Sequence, residues 1–285
     1  MAWNASLQLD YSLAAYALAQ SNGEDKTIAR FNHTGPLRIL QSLYPEGDAI
    51  CHNVIVHPPG GLVGGDTLAV NITLASGAHA LVTTPGATRF YRSDGDAAVQ
   101  KTTITVAENA RMEWLPLESI AYSGCLAENR LRLELAPGGE LVGWDVTALG
   151  LPAANQPFVA GSFSQHIELP GVWLERARIR ASDDLLLNSQ LGLAGQRCVG
   201  TLFFVTGQEL QRNRRQDALD AARAVIAEHP LANNAGATSP DRRVVVVRVV
   251  APVVEPVLNL LKQVRRAWRQ QLWGMQSEAP RVWAT

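Results

Sequence analysis

Leu74-Ala75-Ser76-Gly77-Ala78, Val106-Ala107-Glu108-Asn109-Ala110 and Leu135-Ala136-Pro137-Gly138-Gly139 are three copies of one pattern. Each follows a strand-like segment, places Gly or Asn where a left-handed backbone fits, and leads into another strand-like segment. That is the chemistry of a short hairpin loop with one αL residue. The copies recur about every thirty residues, a period that predicts stacked units in a β-helical or ladder-like body. Stacking sets equivalent offsets side by side, and Thr84, Pro116 and Asp145 each lie seven residues beyond the Gly or Asn of their turn. Three ordinary hairpins in a sandwich are the other reading of the same copies.

The flanking segments support a mainly β class. Leu68, Val70, Ile72 and Leu74 alternate with Ala69, Asn71 and Thr73, and Leu131, Leu133 and Leu135 alternate with Arg130, Arg132 and Glu134. Period two means one buried and one wet face. The last third differs. Leu219, Ala222 and Ile226 mark one helical face, in a segment ended by Pro230. Asn233 to Pro240 reads as a flexible loop, and Arg243 to Val250 as a buried strand. A second amphipathic helix follows Pro256, with Val257, Leu260, Leu261, Val264, Ala267 and Trp268 as its apolar stripe and Lys262, Arg265, Arg266 and Arg269 as its basic side. That side reads as a solvated face or as a dock for an acidic partner. The expectation is a single unit over residues 1–285: a β body to about residue 205, then two helices and a strand packed on it over 206–285.

Composition narrows the function. The chain has 285 residues, 47% hydrophobic, with net charge −1, enough for a sizeable core and no support for a nucleic-acid partner. The longest apolar run, Val244 to Val254, is too short to span a bilayer and contains Arg248. No secretion signal is visible at the N-terminus. Cys51, Cys125 and Cys198 form no C-x-x-C pair, which suits a reducing cytoplasm.

The run His57-Pro58-Pro59-Gly60-Gly61-Leu62-Val63-Gly64-Gly65-Asp66 fixes an unusual backbone path ending on a carboxylate. Gly60 and Gly65 have P-loop spacing, but Asp66 stands where that motif needs Lys. The run is a tight loop between strands or a device that places Asp66 at a functional surface. No G-x-S-x-G elbow, H-E-x-x-H or C-x-x-C pattern is present. Cys51 and His52 are adjacent on a strand and point to opposite faces, so they do not chelate one ion. The sequence offers no convincing nucleophile–base pair for an enzyme. Asp66, Glu118, Asp145 and Glu175 sit in apolar surroundings, where a carboxylate must be paired, protonated, hydrated or metal-bound. As a set they could line a wet polar passage, and oxygen ligands with water hold a divalent transition metal loosely.

With those residues in view, the chain resembles the urease accessory protein D family, called UreD or UreH. The likeness covers nearly the whole sequence. It is carried by the run from His57 to Asp66, by Thr84-Pro85-Gly86-Ala87-Thr88-Arg89-Phe90-Tyr91-Arg92-Ser93, and by Tyr44-Pro45-Glu46, Cys51-His52, Glu113-Trp114-Leu115-Pro116, Gly143-Trp144-Asp145, Glu175-Arg176 and Pro280 to Thr285. The chain departs from the family at Leu151, where Arg is common. The resemblance implies a β-helix-like body with a small helical part, and a non-enzymatic role. It implies binding to urease apoprotein, to the F-type accessory protein and to the G-type GTPase, and delivery of nickel to urease. It implies no tightly held cofactor, only transient Ni²⁺ on a channel lined by Asp66, Thr88, Asp145 and Glu175, with Glu46 and Glu118 as further candidates. An assembly chaperone that holds urease and its accessories without carrying nickel is the alternative.

Overall fold

A computed structural model describes residues 2–14 and 25–284. The strands run in chain order as β1 (Asn4–Leu13), β2 (Thr27–Thr34), β3 (Arg38–Leu43), β4 (Ile50–Val56), β5 (Gly61–Leu62), β6 (Thr67–Leu74), β7 (His79–Thr83), β8 (Thr88–Phe90), β9 (Ala98–Val106), β10 (Arg111–Leu115), β11 (Ser119–Ala121), β12 (Leu126–Leu135), β13 (Glu140–Leu151), β14 (Gln156–Pro157), β15 (Ser162–Leu169), β16 (Trp173–Arg180), β17 (Cys198–Thr206), β18 (Ala235–Asp241) and β19 (Val244–Ala251). The α-helices are α1 (Asp184–Asn188), α2 (Arg212–Ala227) and α3 (Val254–Trp273).

The middle of the chain is a β-solenoid of about four turns. Strands β6, β9, β12 and β15 stack in parallel in one sheet, and β4, β7, β10 and β13 stack in parallel in the other. The short β5, β8 and β11 form a third parallel strip that joins the end of β13. The three repeated turns adopt the expected left-handed residue, with φ of 76° at Gly77, 56° at Asn109 and 79° at Gly138. They are not hairpin loops, however. Each carries the chain from the first sheet to the second, and the neighbours it creates lie one solenoid turn away. Antiparallel strands close the stack: β1 pairs β6 in parallel but β2 in antiparallel fashion, while β17, β19 and β18 extend the second sheet beyond β13.

Three layers result. One core lies between the two sheets, and a second lies between the second sheet and α2 with α3. The first sheet therefore shows clean alternation, whereas strands of the second are covered on both faces, as in β7, where every residue is buried. Leu219, Ala222 and Ile226 are buried on α2 as expected. Two further readings need correction. Asn233 to Pro240 is not a flexible loop: a short 3-10 turn, Ala232–Asn234, leads into β18, which pairs with β19 and shifts register between Thr238 and Asp241. An irregular edge strand tolerates the Gly and Pro that suggested a loop.

The second correction concerns the basic side of α3. Arg265 and Arg269 are not solvated, with side chains 2% and 0% exposed. Arg265 Nε donates to Glu113 Oε2 at 2.6 Å, and Arg269 grips both oxygens of Glu46 at 3.1 and 2.7 Å. Arg269 also lies 3.6 Å from Glu113, and His52 Nε2 lies 2.9 Å from Glu46. Two cations thus face two anions across the layer between β10 and α3. Burial opposes ionisation of Glu113, but Arg265, His79 and Arg269 outweigh it and hold the carboxyl well below the ordinary range. Trp283 seals the site, with its ring over Arg265 and Lys262 and its indole N–H on Thr83.

Removing one partner of a buried pair strands the other charge, at a cost of about 3–5 kcal/mol. Glu113→Ala is expected to lose that much stability in urea unfolding at neutral pH. The wild-type pair contributes fully above the unfolded carboxylate value of about 4.3. Its contribution falls as pH drops below that value toward the depressed folded one, so the Glu113→Ala deficit should shrink in acid.

Candidate functional site

Inward-facing positions of the first sheet come into register across the solenoid. Leu68 aligns with Gln100, Gln100 with Asn129, Asn129 with Gln165, and Gln165 with Ala177. Three amides therefore form one polar row inside an otherwise apolar layer. The next inward row runs Val70, Thr102, Leu131, Ile167 and Glu175. From the second sheet Asp145 faces the row of amides. Its strand neighbour across the pair is Thr201, and that of Thr201 is Arg248.

The side chains are linked. Gln100 Nε2 donates to Asn129 Oδ1 at 3.4 Å, and Asn129 Nδ2 donates to Asp145 Oδ2 at 2.9 Å. Thr147 donates to Asp145 Oδ1 at 3.2 Å. Thr201 Oγ1 donates to Glu175 Oε1 at 3.3 Å. Burial pushes the Asp145 carboxyl up to about 6; hydrogen-bonding contacts with Thr147, Gln165 and Asn129 pull it down, and the Glu175 charge adds to the rise. The Thr102 hydroxyl is buried with no protein partner, while the Gln165 amide makes no hydrogen bond of good geometry but lies near enough to Asp145 to lower its carboxyl. Buried polar atoms of this kind normally meet water or a ligand.

Space accompanies the polar row. A cavity of about 250 Å³ is walled by His57, Gly60, Thr84, Thr88, Arg89 and Gln100, among others. A tighter space of about 10 Å³ lies between Asp145, Asn129 and Ser119. Thr88, Gln100, Thr102, Trp114 and Pro116 wall both. The second space is about the size that one water requires. The interior thus narrows from a roomy mouth to a one-water neck at Asp145; beyond it Thr201, the strand neighbour of Asp145, donates to Glu175.

Of the residues singled out from the sequence, Thr88, Asp145 and Glu175 belong to this interior. Asp66 does not: its carboxylate accepts the backbone N–H groups of Trp3 at 2.7 Å and Val63 at 2.9 Å, and pins the glycine loop. Glu46 is on the far face of the second sheet, on Arg269 and His52. Glu118 is half-buried, and its charge acts on Lys262 of α3, opposing the burial that lowers that amine. The glycine loop itself is built for close approach. A Cβ on Gly61 would meet the Tyr91 ring at 2.3 Å, and one on Gly64 would meet Ser93 Oγ at 2.3 Å. Gly60 and Gly65 take φ of 72° and 89°. His57, before Pro58 and Pro59, lines the mouth, and burial lowers its imidazole. Gln100, Thr102, Asn129, Gln165 and Thr201 were not singled out. For the four on the first sheet the signal is present: each is polar at the apolar phase of its strand, as Gln165 is between Phe163 and Ile167, whereas Thr201 lies in a strand buried on both faces.

Fold and site together define a parallel β-solenoid with a polar interior leading past one carboxylate to another. Among the described residues, no three His, Cys, Asp or Glu side chains gather in a group that could hold a metal ion. The sequence matches the UreD urease accessory protein family over residues 4–284. It is 65% identical over 284 residues to the urease accessory protein UreD of Polaromonas sp. (strain JS666 / ATCC BAA-500), with 100% of both chains covered. The same protein of Paracidovorax citrulli (strain AAC00-1) is 61% identical, and that of Leptothrix cholodnii (strain ATCC 51168 / LMG 8142 / SP-6) 52% identical, each with 100% of both chains covered. The chain belongs to the UreD family, and its role is that of a urease accessory protein in urease maturation.

Asp66 should behave as a structural residue. Asp66→Ala leaves two backbone donors without their acceptor and is expected to cost about 1–3 kcal/mol in denaturant unfolding. Asp66→Asn, which keeps one acceptor oxygen, should recover part of the loss.

Proposed function

We propose that the interior carries Ni²⁺ toward urease, in a scaffold that also holds urease apoprotein and the F- and G-type accessory proteins in the cytoplasm. The observation that supports this reading is the polar lining of the neck, where Asp145, Asn129 and the unpartnered hydroxyl of Thr102 face one small space. They fit a passing hydrated ion. At the neck a divalent ion sheds part of its water, and Asn129, Asp145 and Thr147 offer oxygen in its place. Hard oxygen donors, with one carboxylate per station, bind a transition metal less tightly than thiolate or imidazole sets. Release to the next station then stays easy. Nothing in the arrangement supplies an activated nucleophile, and the scaffold does no chemistry on the ion.

The decisive measurement is the nickel content of urease matured with wild type or with Asp145→Asn, at equal recovery of the urease–accessory complex. A fall of about tenfold or more is expected, the range seen when groups supporting a metal site are lost. Unchanged nickel content would leave an assembly role alone. Protonation of Asp145 removes its charge, so nickel transfer should decline as pH falls through about 6, and Asp145→Asn should remove that step from the profile.

A further inference from the structure

The far end of the passage is occupied by a cation of the protein's own. Arg248, on an inward position of β19, lays its Nε 3.0 and 3.1 Å from the two oxygens of Glu175, and its Nη2 also donates to Oε2. Thr201 donates to Oε1 of the same carboxylate. Both oxygens are therefore engaged, in the bidentate geometry that suits a guanidinium. Glu175 is 21% exposed and Arg248 47% exposed, which leaves the arginine room to swing outward while the carboxylate stays at the passage. Arg176, Arg178 and Arg180 line the outer face of the same strand as Glu175, and none has an ion-pair partner among the described residues. Three guanidinium groups thus lie on the outer face of the strand whose inner face carries Glu175.

Resting on the nickel-passage reading, we propose that Arg248 is the gate of that passage: it holds Glu175 closed to a divalent cation until it is drawn away. Charge balance is the reason. With Arg248 in place, Asp145 and Glu175 share the interior with one positive charge, and a divalent ion would leave it net positive. With Arg248 withdrawn, the two carboxylates neutralise the ion. Arg248 acts through Glu175 and touches no ion itself, so it is a positioning residue. A carboxylate on a docked acidic surface is the natural competitor for its guanidinium.

The test is Ni²⁺ affinity of the full chain at neutral pH, measured by competition with a chromophoric chelator. Arg248→Gln should bind Ni²⁺ about tenfold more tightly than wild type, as expected when a charge-assisted bidentate competitor is removed. The gain should vanish in the Glu175→Gln/Arg248→Gln double variant, and Arg248→Lys should fall between wild type and Arg248→Gln. Equal affinity of Arg248→Gln and wild type overturns the gate, as does a gain that survives in the double variant. Circular dichroism confirms that each variant is folded. Failure of the passage reading shows separately, as an Asp145→Asn variant that leaves both Ni²⁺ affinity and urease nickel content unchanged.

Discussion

Register between parallel strands is the constraint on which the rest depends. A side chain shifted by one residue moves to the opposite face of a strand. Here the three turns at Gly77, Asn109 and Gly138 place His79, Arg111 and Glu140 in line, so the strands that follow repeat the same inward and outward phase. The same regularity on the first sheet sets Gln100, Asn129 and Gln165 in one row. A single polar residue at an inward position would be a local defect in the core. Three in register make a continuous polar track, because each amide has the next for a neighbour and the far wall supplies Asp145. The left-handed turn residue and the polar interior are thus two consequences of one repeat.

The helical layer completes the enclosure. The second sheet has an inward face toward the polar row and an outward face that would expose Leu81, Trp144, Leu202 and Phe204 to water without α2 and α3. Hydrophobic burial supplies the attraction, but it is non-directional. The pairing of Arg265 and Arg269 with Glu113 and Glu46 adds direction, since any slide of α3 leaves a buried charge unmatched. Trp268 on the carbonyl of Ala218 and Trp273 on Glu140 fix the same helix at other points. The two arginines therefore serve to place α3, and the acidic residues they hold are withdrawn from the metal path that the resemblance suggested for Glu46.

What the sequence made legible follows from how local each signal is. The turns were readable because a left-handed position selects Gly or Asn whatever surrounds it. Their role as crossings between sheets, rather than hairpins, depends on partners a whole repeat away and left no local mark. β18 was hidden because Asn233, Asn234, Gly236 and Pro240 carry turn chemistry, and its pairing with β19 overrides them. The arginines of α3 were misread for a different reason. Arg265 stands four residues after Leu261 and three before Trp268, so its spacing belongs to the buried stripe, but its charge argued for solvent. Only the position of Glu113, 152 residues earlier in the chain, resolves that conflict. Asp145 and Glu175 could be picked out as carboxylates in apolar strands. Asn129 and Gln165 carry no charge to draw attention and are recognisable only by phase.

The division of carboxylates explains how one protein can hold some acidic groups rigidly and leave others available. Glu113 and Glu46 have guanidinium partners that are fully buried, and Asp66 is held by backbone donors that cannot leave without unfolding the loop. Asp145 is held only by neutral groups, the Thr147 hydroxyl and the Asn129 and Gln165 amides, and burial keeps its charge costly enough to bring its titration near 6. A carboxylate under that tension gains most from an arriving cation. Glu175 lies between these extremes, because its partner is strong but half exposed. The kind of partner separates these acids: a buried guanidinium or backbone donors hold Glu113, Glu46 and Asp66, a half-exposed guanidinium holds Glu175, and neutral groups alone hold Asp145.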